Sequence, residues 1–250
     1  MKQIRFKNSK GLSLAGDLQG ENKRKVIIMC HGFRSNRFSK GRFDRFSEAF
    51  SKAGFSVLRF DFSGCGDSED TALSLKNEVD DLSSAIAFVK SQGFEEIALY
   101  GHSLGARVCL EAFQPEDITT MVLTGAGTGP VHYNWKEEFT DTQLNELAAT
   151  GFLTQPVQHS NRDHITISKQ MLDDFSECDQ QLLLSRISCP VLIVHGELGE
   201  EAILMPITQQ GMKWLSDDSK LEVLQGAEHD FMTHLDEVEE LALHWWKIHF

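Results

Sequence analysis

The feature that most constrains this chain is the pentapeptide Gly101-His102-Ser103-Leu104-Gly105, which follows a short apolar segment and precedes a helix-forming one. A serine between a strand and a helix lies on a tight turn, and the positions two before and two after it must carry almost no side chain. Gly101 and Gly105 meet that requirement. Because the turn presents the Ser103 hydroxyl and the Leu104 N–H to one space, the pattern predicts a nucleophile and one donor of an oxyanion hole.

The rest of the chain alternates short apolar segments with amphipathic ones. Residues 3–7 and 12–18 have the pattern of a hairpin, and 42–53 and 76–92 have helical spacing. Further apolar runs are typical of strands buried on both faces of a parallel sheet: 25–30, 56–61, 96–100, 120–124 and 190–195. This alternation predicts an α/β protein with a doubly wound, mostly parallel sheet and right-handed crossovers.

The alternation stops after residue 126 and resumes at 186. Residues 131–185 contain no pattern of a buried strand, and we interpret them as short helices and loops. We therefore predict a core formed by 1–126 and 186–250, with 127–185 inserted as a small helical lid. Trp135 and Phe139 in this segment are candidate walls of a substrate site, although aromatic core packing is an equal alternative.

A nucleophilic serine needs a base, a carboxylate that orients the base, and a second oxyanion donor. His229 follows the predicted strand 220–224 in a loop that can reach over the turn at Ser103. The carboxylate should come from the loop after strand 190–195, which contains Glu197, Glu200 and Glu201. The second oxyanion donor should follow strand 25–30, where His31-Gly32-Phe33 offers the backbone N–H of Phe33.

These motifs, in this order, resemble those of the α/β-hydrolase superfamily. The chain is most similar to small lidded serine carboxylesterases of the feruloyl/cinnamoyl esterase kind. The segments that carry the resemblance are His31–Asn36, Leu58–Ser68, Gly101–Gly105, Cys189–Gly196 and Gly226–Phe231. The resemblance implies an α/β-hydrolase fold, Ser103 as nucleophile, His229 as base, and Phe33 and Leu104 as oxyanion donors.

The chain departs from that family at the acidic residue. The family's aspartate follows the histidine of the His-Gly motif by four positions, and Gly199 occupies that position here. The spacing to His229 favours Glu201, whereas proximity to the expected position favours Glu200. Glu197 and Asp230 are weaker candidates.

Composition narrows the function further. The chain of 250 residues has a net charge of −13, which opposes binding to nucleic acid or to an anionic membrane. No apolar run reaches membrane-spanning length and the first residues lack an apolar leader, so we expect a cytoplasmic protein. The five cysteines show no C-x-x-C spacing, and His159 and His164 do not share a helix face, so we expect no metal site.

We therefore predict a cofactor-independent serine hydrolase that cleaves small-molecule esters with small to medium, neutral, apolar or aromatic acyl groups through an acyl-enzyme on Ser103. A thioesterase, an amidase or aminopeptidase, and a monoacylglycerol lipase remain alternatives with the same residues. A binding protein with an impaired triad is the alternative of another class, and Gly199 motivates it. We expect a monomer or a homodimer.

Overall fold

The computed structural model describes residues 1–157 and 162–250, so His159 lies outside the described part. An eight-stranded sheet organises it, with the strand order β1-β2-β4-β3-β5-β6-β9-β10. Only β2 pairs antiparallel with its neighbours, and the other pairs are parallel. The strands of this sheet are β1 (Lys2–Lys7), β2 (Ser13–Gln19), β3 (Lys25–Cys30), β4 (Ser56–Phe60), β5 (Glu96–His102), β6 (Ile118–Thr124), β9 (Val191–His195) and β10 (Lys220–Val223).

Helices cover both faces of the sheet, as a doubly wound fold requires. The helices that pack on it are α1 (Arg42–Lys52), α2 (Leu75–Ser91), α3 (Leu104–Glu111), α8 (Glu201–Gly211) and α9 (Leu235–His249). On one face, α2 and α3 contribute buried side chains such as Leu82 and Val108 to the larger core. On the other face, α1 and α9 bury Phe46 and Trp246 in a second core. The predicted fold class, the initial hairpin and the strand order along the chain are confirmed.

The insertion between β6 and β9 contains strands that the sequence analysis did not predict. It comprises α4 (Trp135–Glu138), α5 (Asp141–Thr150), β7 (Phe152–Pro156), β8 (His164–Ser168), α6 (Lys169–Asp174) and α7 (Gln180–Ser185). The expectation of helices and loops alone is wrong, because β7 and β8 form an antiparallel pair. Their signal is weak because buried Ile165 and Ile167 alternate with polar residues and form no continuous apolar run.

The same hairpin attaches the insertion to the core. The backbone N–H of Leu73 donates to the Thr166 carbonyl at 2.8 Å, and the N–H of Ser168 donates to the Leu73 carbonyl at 3.2 Å. Leu73 precedes α2, so these bonds fix the insertion beside the helices next to Ser103. Across residues 1–157 and 162–250, no helix combines the length and apolar character needed to cross a membrane.

Candidate active site

Ser103 joins β5 to α3 in a strained conformation. Its backbone has φ 55° and ψ −123°, which non-glycine residues rarely adopt and which recurs at functional sites. The two flanking glycines are sterically required, because a Cβ on Gly101 would lie 2.6 Å from the Ala106 Cα and one on Gly105 would lie 2.2 Å from the Cys30 carbonyl oxygen. The sequence therefore forces the sharp turn that presents the Ser103 hydroxyl.

His229 lies beside Ser103 although the two are far apart in the chain. It follows β10 in the loop that leads to α9, and its Nε2 is 2.9 Å from the Ser103 Oγ. Its Nδ1 is hydrogen-bonded to the Glu201 Oε1. Gly125, with φ 57°, makes room for this contact, because a Cβ there would lie 2.7 Å from the His229 Cε1. The three side chains form one continuous chain of hydrogen bonds.

Glu201 is fully buried and accepts hydrogen bonds on both carboxylate oxygens. Besides His229 at Oε1, its Oε2 contacts the His195 Nδ1 at 2.5 Å and accepts from the Gly196 N–H at 3.0 Å. Burial alone would raise the pKa of Glu201, but the hydrogen bonds from His195 and His229 outweigh it and lower the pKa to about 2. The carboxylate is therefore ionised at neutral pH despite its burial.

The other candidate carboxylates lie elsewhere in the same region. Glu200 has one oxygen 3.5 Å from the His229 Nε2, on the Ser103 side of the ring, and its other oxygen accepts from the Tyr133 hydroxyl. Glu197 accepts from the Gly226 N–H at 3.0 Å, and Asp230 accepts from a backbone N–H of its own loop at 3.1 Å. Among these four carboxylates, the structure places that of Glu201 against the His229 Nδ1.

The electrostatic surroundings separate the two histidines nearest to Ser103. Burial alone would lower the pKa of His229, but the Glu201 hydrogen bond and the Glu200 charge raise it. Burial and the positive charge of Arg42 hold the pKa of His102 well below its usual value. His102 instead contacts the Thr124 hydroxyl at 3.0 Å and packs against His229 with 5.2 Å between ring centroids. His229 is thus the imidazole that bonds Ser103, and the neutral His102 supports its ring.

Two backbone segments adjoin Ser103, the start of α3 and the loop after β3. Leu104 is the first residue of α3, where backbone N–H groups have no acceptor within the helix. The loop after β3 brings Gly32 so close that a Cβ on it would lie 3.2 Å from the Ser103 Cβ. Phe33 follows Gly32 directly. Both predicted oxyanion donors therefore belong to segments that adjoin Ser103.

Two adjoining cavities share Ser103, Tyr133 and Phe175 in their walls. The narrow cavity has a volume of about 20 Å³ and its walls include Leu104, Val131, Met171 and Leu204. The wide cleft, with a volume of about 780 Å³, is lined by His229 and by a mixture of charged and aromatic side chains that includes Trp135. Phe139 is buried and packs on Trp135 with 5.9 Å between ring centroids, so it supports a cleft wall from behind.

Sequence reasoning missed the residues that hold the site from behind. His195 was recognised only as part of a motif, yet its Nδ1 bonds Glu201 and its Nε2 lies 2.8 Å from the Thr208 hydroxyl. The Thr208 hydroxyl in turn lies 2.9 Å from that of Thr128. Thr208 follows Glu201 by seven residues on α8, two helical turns, which places both on one helix face. That spacing is the only feature of the sequence that indicates a link between Thr208 and Glu201.

Solved structures of other proteins share the fold of this chain. Solved structures with this fold include the ferulic acid complex of Est1E from Butyrivibrio proteoclasticus, at TM-score 0.76 and 18% identity, covering 98% of each chain. A monoacylglycerol lipase from Paleococcus ferrophilus matches at TM-score 0.73 and 21% identity, covering 95% of this chain and 99% of that one. The fold is that of the α/β-hydrolases.

The family follows from sequence. The Hydrolase_4 family, described as serine aminopeptidase S33, matches residues 21–179, which is more than half of the chain. The chain belongs to this family. A curated relative, the uncharacterised 31.7 kDa protein of the traX-finO intergenic region of Escherichia coli, is 34% identical over 162 residues. That match covers 59% of this chain and 56% of the relative's length.

Proposed function

We propose that this protein is a serine hydrolase that cleaves carboxylic esters of small molecules through an acyl-enzyme on Ser103. The observation that carries the proposal is the hydrogen-bonded chain from the Ser103 Oγ through the His229 imidazole to the buried Glu201 carboxylate. A weak nucleophile, a base within hydrogen-bond reach and a group that orients the base are together the requirement for nucleophilic acyl transfer.

In this proposal, His229 accepts the Ser103 proton as the hydroxyl oxygen attacks the ester carbonyl. The carbonyl oxygen acquires negative charge, and the Phe33 and Leu104 N–H groups stabilise it. The carbon–oxygen bond to the alcohol then breaks, and His229 delivers the proton to the departing alcohol. Water, deprotonated by the same imidazole, attacks the acyl carbon, the bond to the Ser103 Oγ breaks, and His229 returns the proton to that oxygen as the acid leaves. Glu201 stays ionised throughout and stabilises the transient imidazolium.

The ester bond is favoured by the neighbours in fold rather than by the geometry alone, because the same residues can cleave thioesters and amides. The relatives of known structure include an esterase holding ferulic acid and a monoacylglycerol lipase. The alternative of a binding protein with an impaired triad rested on Gly199. The Glu201 carboxylate, two residues after Gly199, is hydrogen-bonded to His229, and this contact argues against an impaired triad.

The test is ester turnover by matched serine variants. Ser103→Ala should lower hydrolysis of p-nitrophenyl acetate to the rate given by a general binding surface, a loss of at least about 1,000-fold. Ser83→Ala on the exposed side of α2 is the control and should retain wild-type rates. Turnover by Ser103→Ala at more than a tenth of the wild-type rate would overturn the proposal.

A further inference from the structure

The two cavities at Ser103 differ in one respect that assigns them to the two halves of an ester. His229 lines the wide cleft and is absent from the walls of the narrow cavity. In the reaction proposed above, on which this inference rests, the imidazole must hand its proton to the departing alcohol oxygen. The alcohol therefore occupies the wide cleft. The acyl group, which stays bonded to Ser103, is then assigned to the narrow cavity, whose walls include Leu104.

The narrow cavity holds very little. A volume of about 20 Å³ is far below the roughly 300–1,000 Å³ of common small-molecule sites, so the cavity suits a short acyl group. Its apolar walls cannot retreat freely, because Met171 and Leu204 are almost completely buried in the described structure. An acyl chain longer than this must displace side chains that are already packed.

Charged side chains in the walls of the narrow cavity also oppose a long alkyl chain. Arg107 lies one helical turn beyond Ser103 on α3, on the same helix face, and lines the cavity together with Asp174. The Arg107 guanidinium is bonded to Glu111 at 2.6 and 2.9 Å, which fixes it in place. An alkyl chain that reached Arg107 would press methylene groups against its guanidinium and remove this charge from water.

The wide cleft has the opposite character. Its volume of about 780 Å³ falls within the range of small-molecule sites. Side chains of both charges line it, with Arg34, Lys40 and Arg42 on the positive side and Glu138, Glu200 and Asp230 on the negative side. Trp135 and Tyr133 add aromatic surface with polar tips. Arg34 is paired with Glu138, and the Tyr133 hydroxyl donates to Glu200, so the remaining donors and acceptors of these groups face a polar substrate.

We infer that the preferred substrates are short-acyl esters, acetyl or propionyl, of a bulky and polar alcohol, because the narrow cavity admits only a short acyl group and the wide cleft is large and polar. The assignment places Trp135, a predicted wall of the substrate site, on the alcohol side of Ser103.

The test varies one half of the ester at a time. With p-nitrophenyl acetate, butyrate and octanoate the alcohol is constant, and we expect kcat/KM to fall by about 10- to 100-fold from acetate to octanoate. With acetates the acyl group is constant, and a polyacetylated sugar should exceed ethyl acetate by at least about tenfold in kcat/KM. Equal rates for acetate and octanoate, within about threefold, would overturn the acyl-length inference.

Variants distinguish the cavity from general effects on the enzyme. Met171→Ala enlarges the narrow cavity and should raise the octanoate-to-acetate ratio of kcat/KM at least about tenfold. Leu172→Ala is the matched control, since Leu172 is its buried neighbour on α6 and lines neither cavity. Trp135→Ala should lower the preference for the sugar acetate and leave the acyl-length ratio unchanged. An unchanged ratio in Met171→Ala refutes the assignment of this cavity to the acyl group.

Failure of this inference is separable from failure of the proposed function. If acetate and octanoate are hydrolysed equally and both activities require Ser103, only the assignment of the cavities is wrong. If no ester is turned over, or if Ser103→Ala retains more than a tenth of the wild-type rate, the proposed function itself is wrong and the inference falls with it.

Discussion

Replacing Glu201 with glutamine keeps the shape of the side chain but removes the negative charge beside the His229 Nδ1. The carboxylate accepts from His229, His195 and the Gly196 N–H, whereas an amide offers one acceptor oxygen and turns an NH₂ group toward the remaining donors. The fall of the Glu201 pKa from 4.5 to about 2 corresponds to on the order of 3 kcal/mol of net stabilisation of its charge.

That energy sets the size of the expected kinetic effect. His195 and His229 both contribute to that energy, so the part that acts on the His229 imidazolium corresponds to at most roughly 100-fold in kcat, and misorientation of the ring extends the loss toward about 10⁴-fold. Glu201→Gln should therefore reduce kcat by about 10- to 10⁴-fold in steady-state assays with p-nitrophenyl acetate. Because the carboxylate raises the pKa of His229, the acidic limb of the pH profile of the remaining activity should move to lower pH.

Glu200→Gln is the matched control for this prediction. Glu200 also raises the pKa of His229, but its carboxylate is about one-third exposed and lies 3.5 Å from the Nε2 rather than on the Nδ1. Its replacement should shift the acidic limb to lower pH and cost less than about tenfold in kcat. If Glu200→Gln abolished turnover and Glu201→Gln retained it, the assignment of the acid would be refuted.

The residues around Ser103, His229 and Glu201 give three further predictions. His195→Asn should lower kcat about tenfold by weakening the hold on Glu201, and circular dichroism at neutral pH should show a folded protein. Gly32→Ala places a Cβ 3.2 Å from the Ser103 Cβ and should lower kcat for p-nitrophenyl acetate by about 10- to 100-fold with little change in melting temperature. The depressed pKa of Glu201 contributes stability above pH 4.5 that is lost as the pH falls toward 2, so acid unfolding followed by fluorescence should be less steep across this window in Glu201→Gln. An unchanged acid transition would contradict the last prediction.

The parallel sheet could be predicted because its central strands are continuous apolar runs, a pattern typical of strands that are buried on both faces. Val26–Cys30 and Ile97–Tyr100 are buried at every position, so the sequence pattern and the burial coincide. The hairpin of β7 and β8 could not be predicted in this way. Its strands are five residues each and half-buried, and hydrogen bonds to Leu73, far away in the chain, help to hold it in place.

In the candidate site, too, the local features could be predicted and the contacts between distant residues could not. The turn at Ser103 could be predicted because it is local: it leaves no room for a Cβ at positions 101 and 105, and glycine occupies both. The contact of Glu201 with His229 depends on how the loop after β9 enters α8, and the sequence left Glu200 and Glu201 open. The second histidine on the carboxylate, His195, belongs to a buried network that only the packing of α8 against β9 creates.

Covalent capture of the nucleophile tests the central claim most directly. The protein would be incubated with a fluorophosphonate, digested, and analysed by mass spectrometry to locate the adduct. We expect stoichiometric labelling of the wild-type protein on Ser103 and no labelling of Ser103→Ala. Glu201→Gln should be labelled at least about tenfold more slowly than the wild-type protein. An adduct on another residue, or a wild-type protein that stays unlabelled, would contradict the claim that Ser103 is an activated nucleophile.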